Sequence, residues 1–162
     1  AWKFQIDGEE KIIVTQGDYP QVDGEFVDVE TTEVQKGYEP PIHDFTIERD
    51  GNDFADSLLQ EPKLVTVIAY DLRKTNEDAF SDVREITNLA LQKGYKVIGM
   101  SASNNQQTQK LIQDHNLNFE FYFTDETTLK TIVRSNPGVL VLEKGTIKQK
   151  VHYNDLEELE FE

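Results

Sequence analysis

Residues 64–70 form an uninterrupted apolar run, Leu-Val-Thr-Val-Ile-Ala-Tyr, in which four successive residues are β-branched. A strand with one solvated face alternates polar and apolar side chains, whereas a strand covered on both faces does not. The run is too short to cross a bilayer, which takes about 20 residues. It therefore predicts a central strand with helices on both faces of its sheet, which is an α/β class of fold.

After this run, apolar residues recur at the spacing of a helix. Thr75 and Asp78 are spaced as a capping box at the start of a helix, and Gly94 suits its C-terminal end. The apolar side chains on one face of this helix are Ala79, Phe80, Val83, Ile86 and Ala90. We therefore predict that Phe80, Val83 and Ile86 pack on the sheet.

Helices and strands keep alternating toward the end of the chain. Residues 103–106 have capping-box spacing before a second helix, and Asp125 begins a third. A strand is predicted at 119–123, and the last two strands are joined by a short turn at Lys144-Gly145. The prediction is one central mixed sheet that includes residues 65–70, 96–100, 139–142 and 147–151.

Residues 1–40 differ from the rest in composition, with ten acids and three bases. Trp2, Phe4 and Ile6 alternate with polar residues before an Asp-Gly pair, which predicts a hairpin, and residues 26–29 predict a further strand. Two prolines, at 40 and 41, stiffen the chain after this region. We predict a small acidic β appendage at 1–40 and a main domain at 41–162.

The main domain is predicted to open with a strand at 44–47 and a turn at Asp50-Gly51. Its acidic tail, residues 155–162, is interpreted as a short acidic helix with a solvated face or as a frayed tail. A docking strip for a basic partner is the alternative for this tail.

Charge and composition exclude several classes of function. The chain has 16 Lys and Arg against 31 Asp and Glu, a formal net charge of −15. Such a surface repels phosphate, which argues against nucleic acid as a partner and against direct insertion into an anionic membrane. The chain has no Cys, so disulfides, thiolate metal sites and cysteine nucleophiles are excluded.

Other reactive residues do not form a recognisable catalytic or metal-binding pattern. His43, His115 and His152 share no ligand spacing, so we predict no metal site. Ser103 lacks the flanking glycines of a hydrolase elbow and is explained as a helix cap. The sequence from Asp50 to Asp53 starts like a calcium loop but lacks its full spacing. We therefore predict no cofactor, and the pattern favours a domain that is not an enzyme.

Four stretches of the main domain resemble one known fold. They are Asp-Phe-Thr-Ile at 44–47 with its turn, the strand at 65–70, Asn-Pro-Gly-Val-Leu-Val at 136–141 and Lys-Gly-Thr-Ile at 144–147. Residues 42–162 thus resemble a thioredoxin-like domain of the peroxiredoxin and TlpA kind. The resemblance implies a thioredoxin-like fold with a central mixed sheet flanked by helices. It also implies a cis peptide bond between Asn136 and Pro137, beside the former active site.

Longer stretches at 37–45, 125–138 and 152–156 resemble the C-terminal soluble domain of bacterial DoxX-type membrane proteins. This resemblance implies a preceding bundle of membrane helices, which would be a partner of the domain in the full-length protein. It also implies an extracytoplasmic, periplasmic position for this domain. The chain opens without Met and directly on a predicted strand, so we interpret it as a piece of a longer protein.

The departure from catalytic thioredoxins decides the functional hypothesis. At the position where catalytic thioredoxins carry Cys-x-x-Cys, residues 71–77 of this chain are Asp-Leu-Arg-Lys-Thr-Asn-Glu. Thiol–disulfide exchange requires a thiolate, which this segment lacks. We therefore predict a redox-inactive domain that binds or assembles through its former active-site face, with its own membrane part, another protein or a peptide as partner. The residues of this face are Tyr70, Asp71, Lys74, Asn76, Asn136 and Pro137.

Two alternatives remain open at the level of sequence. In one, the domain presents substrate to reactive cysteines that lie in the missing membrane segment. In the other, it is a free-standing soluble regulator. The sequence upstream of this chain discriminates them, because the first requires paired cysteines near a membrane helix and the second requires no membrane helix.

Overall fold

The computed structural model describes residues 1–16, 18–30 and 45–162. The chain forms two compact units, Ala1–Pro41 and Ile42–Glu162. The predicted domain boundary between residues 40 and 41 lies outside the described residues, and so does His43.

The first unit is a three-stranded antiparallel sheet. Strand β1 (Trp2–Ile6) lies between β2 (Glu9–Ile13) and β3 (Glu25–Val29). Asp7 and Gly8 form the predicted two-residue turn with φ of 55° and 85°, a combination that Asp-Gly tolerates well. Four aromatic side chains pack edge to face, with ring centroids 5.1–6.4 Å apart: Trp2, Phe4, Tyr19 and Phe26. Packing among these rings supplies the apolar core of a very small sheet.

The second unit is built on a seven-stranded mixed sheet in the order β10-β9-β6-β7-β8-β4-β5. Its strands are β4 (Glu48–Arg49), β5 (Asn52–Asp53), β6 (Leu64–Ile68), β7 (Lys96–Ser101), β8 (Glu120–Phe123), β9 (Gly138–Glu143) and β10 (Thr146–His152). Its helices are α1 (Ala55–Leu59), α2 (Phe80–Gln92), α3 (Asn105–His115) and α4 (Glu126–Ile132), with 3₁₀ turns at Glu77–Ala79 and Leu156–Glu158. Strands β6, β7 and β8 run parallel, and the remaining pairs are antiparallel.

Strand β6 lies at the centre of the sheet, and every residue in it is buried. Because side chains alternate across a strand, Val65 and Val67 enter one apolar core and Leu64 and Ile68 enter the other. The first core is closed by α2 and α3, and the second by α1 and α4. The predicted central sheet is confirmed. Phe80 and Val83 are fully buried against it and Ile86 is half-buried.

The prediction of a strand at 44–47 is wrong for residues 45–47, which are not part of a strand. Asp44 lies outside the described residues, and pairing starts only at β4. The Asp53 carboxylate accepts hydrogen bonds from the backbone N–H groups of Ile47 (3.0 Å) and Ala55 (2.9 Å). The N–H of Ile47 is thus bonded to the Asp53 side chain and cannot pair with a neighbouring strand. The Asp50-Gly51 turn lies where predicted, with φ of 52° and 77°.

Both capping residues were predicted one residue too early. Asn76, not Thr75, caps the 3₁₀ turn that precedes α2, and its side chain accepts from the N–H of Asp78. Asn104 and Gln107 form the reciprocal box of α3. The hydroxyl of Ser103 accepts instead from the N–H of Leu72 at 3.0 Å. It thereby connects the start of α3 to the loop that follows β6.

The acidic tail is not a solvated helix. It forms one 3₁₀ turn, Leu156–Glu158, in which Leu156 is buried, and Leu159 after it is buried as well. Phe161 then packs against Tyr95, with ring centroids 5.1 Å apart. The alternation of apolar residues among the acids attaches this segment to the first core.

We expect Phe80→Ala to lower the free energy of unfolding by about 3–5 kcal/mol, because it leaves a cavity in the first core. Phe123→Ala removes the same atoms from a ring that is 48% exposed, so it should cost much less. Urea unfolding of both variants measures the difference. Equal losses would contradict the assignment of Phe80 to the core.

Candidate functional site

One end of the main sheet brings together two segments that are far apart in the sequence. Strands β6 and β9 are antiparallel neighbours, with Ile68 opposite Gly138. The loop that leaves β6 therefore lies beside the segment that enters β9. These two segments contain all of the residues that the sequence singled out as a face. Tyr70, Asp71, Lys74 and Asn76 come from the loop, and Asn136 and Pro137 come from the entry to β9.

Asn136 holds the loop at two points. Its side-chain Nδ2 donates to the carbonyl oxygen of Asp71 at 2.8 Å, and its own carbonyl oxygen accepts from the N–H of Asn76 at 2.9 Å. Asn136 is 8% exposed, so both contacts are shielded from water. The peptide bond between Asn136 and Pro137 is cis. The loop from 71 to 76 is therefore fixed at both ends to the segment before β9.

The carboxylate of Asp71 lies inside this loop, and its side chain is 4% exposed. Its Oδ1 accepts from Nε (3.0 Å) and the backbone N–H (3.1 Å) of Arg73, and its Oδ2 accepts from Nη2 at 3.0 Å. The Lys74 Nζ lies 3.2 Å from Oδ2. Arg73 above all, with help from Lys74, lowers the pKa of Asp71 well below its usual range despite burial. The carboxylate is thus ionised and fully occupied by its neighbours.

The outer side of the face carries cations and one aromatic ring. Arg73 and Lys74 are largely exposed beyond their contacts with Asp71. The Nζ of Lys130 lies 5.4 Å from the centre of the Tyr70 ring and also pairs with Glu126 at 2.5 Å. Arg73, Lys74 and Lys130 together with their partners Asp71 and Glu126 have a formal charge of +1. No residue of this face is a strong nucleophile.

Two polar atoms of this region are buried without a hydrogen bond to any described residue. They are Oδ1 of Asn136 and Oγ1 of Thr75. Thr75 was predicted as a cap, and Asn136 was predicted only through the resemblance. Arg73 and Lys130 were not predicted at all. The acid–base spacing of Asp71, Arg73 and Lys74 was the available signal for Arg73. Lys130 lies on α4, and its proximity to Tyr70 exists only in the folded chain.

The remaining candidates for chemistry have structural roles. The His115 ring packs 5.4 Å from that of Phe80, and the His152 ring packs 4.1 Å from that of Tyr153. Asp53 is occupied by backbone N–H groups, that of Ala55 foremost, which lower its pKa. Within residues 1–16, 18–30 and 45–162, no group of three or more His, Asp or Glu side chains is placed to hold a metal ion. In the same ranges, no helix combines the length and the apolar character needed to span a bilayer.

Comparison with known proteins establishes the fold. No protein-family model matches this chain, and no curated protein matches it. The thioredoxin domain of a thiol-disulfide oxidoreductase from Bacteroides vulgatus is similar in structure, with a TM-score of 0.50 and 15% identity over 70% of this chain and 90% of that one. A thiol:disulfide interchange protein from Bacteroides sp. is similar with a TM-score of 0.52 and 14% identity over 71% and 84%. The second unit therefore has a thioredoxin-like fold, in a chain without cysteine.

We expect Asp71→Asn to lower the free energy of unfolding by about 1.5–3 kcal/mol at neutral pH, because it weakens charge-assisted hydrogen bonds. The pKa of Asp71 is lower in the folded protein than in the unfolded chain, where it is about 3.9. Its stabilisation is thus complete above that unfolded value and is lost as the pH falls through the folded value.

The difference between wild type and Asp71→Asn should therefore narrow below about pH 4. Urea unfolding at a series of pH values measures it. Asp114→Asn is the matched control, because Asp114 pairs with Lys110 on the exposed surface of α3. A difference for Asp71→Asn that persists unchanged into acid would contradict the role of its carboxylate.

Proposed function

We propose that this domain is a thioredoxin-like module that binds a protein segment and does not catalyse thiol–disulfide exchange. The observation that carries the proposal is the attachment of the 71–76 loop to Asn136 through hydrogen bonds of 2.8 and 2.9 Å. In the resemblance to catalytic thioredoxins, this loop stands where Cys-x-x-Cys would be. A loop that is fixed in place and lacks a thiolate supports recognition and offers no route for exchange.

The proposed contact surface consists of Tyr70, Asp71, Lys74, Asn76, Asn136 and Pro137. Within it, Asp71 organises the loop, because its carboxylate is buried and positions Arg73 and Lys74. Tyr70 and the cations offer an aromatic surface beside groups that bind carboxylates. We therefore propose a partner segment that carries acidic side chains.

A short acidic peptide, acetyl-Gly-Glu-Tyr-Glu-Gly-amide, tests this surface. Added to ¹⁵N-labelled protein, it should shift the amide signals of residues 70–76 and 135–137. Lys74→Glu should abolish the shifts by reversing a charge next to Asp71. Lys144→Glu is the control, because Lys144 follows the opposite end of β9. Shifts that occur elsewhere, or that survive Lys74→Glu, would contradict the proposed surface.

We further propose that the domain belongs to a DoxX-type membrane protein, is held at the membrane by that protein's helices and faces the periplasm. The support is the sequence resemblance at 37–45, 125–138 and 152–156. The natural gene product should remain in the membrane fraction after alkaline carbonate extraction. In spheroplasts, protease added from outside should remove residues 1–162. Recovery of the full-length product in the carbonate supernatant would instead favour the free-standing regulator.

The purified chain should not accelerate the reduction of insulin by dithiothreitol, because it has no sulfur nucleophile. The turbidity assay for precipitated insulin B chain measures this, with a cysteine-containing thioredoxin as positive control. Turnover above buffer would contradict the non-catalytic proposal. If membranes containing the natural gene product do catalyse exchange and lose it when cysteines outside this chain are replaced, the substrate-presenting alternative applies.

A further inference from the structure

A surface groove runs along α2 on the second unit, and its volume is about 1130 Å³. One wall is the outward side of α2, and the other is the segment from Tyr153 to Glu157. Small-molecule pockets measure about 300–1,000 Å³ and enclose most of their ligand. A groove that is larger and open to solvent is better matched to a segment of polypeptide.

Four apolar residues are part of the groove lining. Ile86 and Leu89 of α2 line it together with the buried Ala79 and Leu156. Leu89 is 42% exposed, although it lies on the same helix as the fully buried Phe80. Ile86 and Leu89 are three residues apart and therefore share one helix face. This part of α2 presents apolar surface that the described residues do not cover completely.

The rim of the groove is acidic. Asp82 and Glu85 share the α2 face with Ile86 and Leu89, and Asp78 and Glu157 lie at the rim as well. Arg84 is the single base among the lining residues, so the lining carries a formal charge of −3. The chain as a whole carries −15. The charge of the lining attracts a cationic partner to this groove.

Amide side chains occupy much of the remaining wall. They are Asn76, Asn88, Gln92, Asn116, Asn118 and Asn154. Asn118 Nδ2 donates to Asn88 Oδ1 at 2.7 Å, which leaves the second N–H of Asn118 for another acceptor. An amide both donates and accepts hydrogen bonds, which are the two functions that peptide backbone groups need from a partner.

From these observations we infer that the groove binds a basic, amphipathic segment of another protein. Lysine or arginine side chains of that segment contact Asp82 and Glu85, and an apolar side chain rests on Ile86 and Leu89. The lining of this groove has a formal charge of −3, whereas the six residues of the face around Asn136 sum to zero. The two share only Asn76, so the inference stands independently of the proposed function.

The test is fluorescence anisotropy with a labelled peptide, acetyl-Gly-Lys-Leu-Lys-Gly-Lys-Leu-Lys-Gly-amide, and the whole 162-residue chain. Two matched peptides replace every Lys by Glu or every Leu by Ser. The basic peptide should bind most tightly, the serine peptide more weakly, and the glutamate peptide not at all. Raising the salt from about 0.05 M to about 0.3 M should weaken binding, because screening shortens the reach of the rim charges.

Asp82→Asn combined with Glu85→Gln should raise the Kd of the basic peptide about 5- to 10-fold, as expected for the loss of two solvent-exposed charge contacts. Asp56→Asn combined with Glu143→Gln removes the same formal charge from residues that do not line the groove, and it should change the Kd less than about twofold. Leu89→Ser should weaken binding of the basic peptide. It should leave the Kd of the serine-substituted peptide unchanged. Equal effects of the groove and control pairs, or equal affinity for the glutamate peptide, would overturn the inference.

Discussion

Asn136 joins two segments that are separated by more than sixty residues, and the local structure of the candidate face depends on this contact. Its amide donates to the carbonyl of Asp71, and its carbonyl accepts from Asn76. Between these two points the Asp71 carboxylate accepts hydrogen bonds from Arg73 and forms an ion pair with Lys74. Hydrogen bonds that are shielded from water hold this loop against the segment that enters β9. The result is a fixed loop whose exposed side carries Arg73 and Lys74.

Much of the fold could be predicted from the sequence because the hydrophobic pattern is strong. The β-branched run of β6 specifies a strand buried on both faces, and the spacing of Phe80 and Val83 specifies the buried side of α2. Local chemistry was less predictive. The caps of the 3₁₀ turn before α2 and of α3 lie one residue later than predicted, because Asn76 and Asn104 take the capping role. Neighbouring polar residues compete for such positions, and spacing alone does not decide between them.

The candidate site could be predicted only in part. Asp71 and Asn136 were assigned to this face through the resemblance to thioredoxin-like domains, because no pattern in the residues themselves relates positions so far apart. Lys130 approaches Tyr70 only because α4 packs beside the end of β6. Ser103 holds Leu72 through a tertiary hydrogen bond of 3.0 Å. Contacts of this kind depend on the packed sheet, so they follow from the fold and not from local sequence.

Amide hydrogen exchange at Asn76 tests the central claim most directly, because the N–H of this residue donates to Asn136. The account predicts that the Asn76 amide is protected in the wild-type protein. Asn136→Ala keeps the backbone carbonyl that accepts from Asn76 but removes the side-chain Nδ2 that donates to the carbonyl of Asp71. The variant should therefore loosen the loop and reduce the protection of Asn76 by about tenfold, while the amides of β6 keep theirs. Exchange of Asn76 at the rate of an unprotected loop in the wild-type protein would contradict the account.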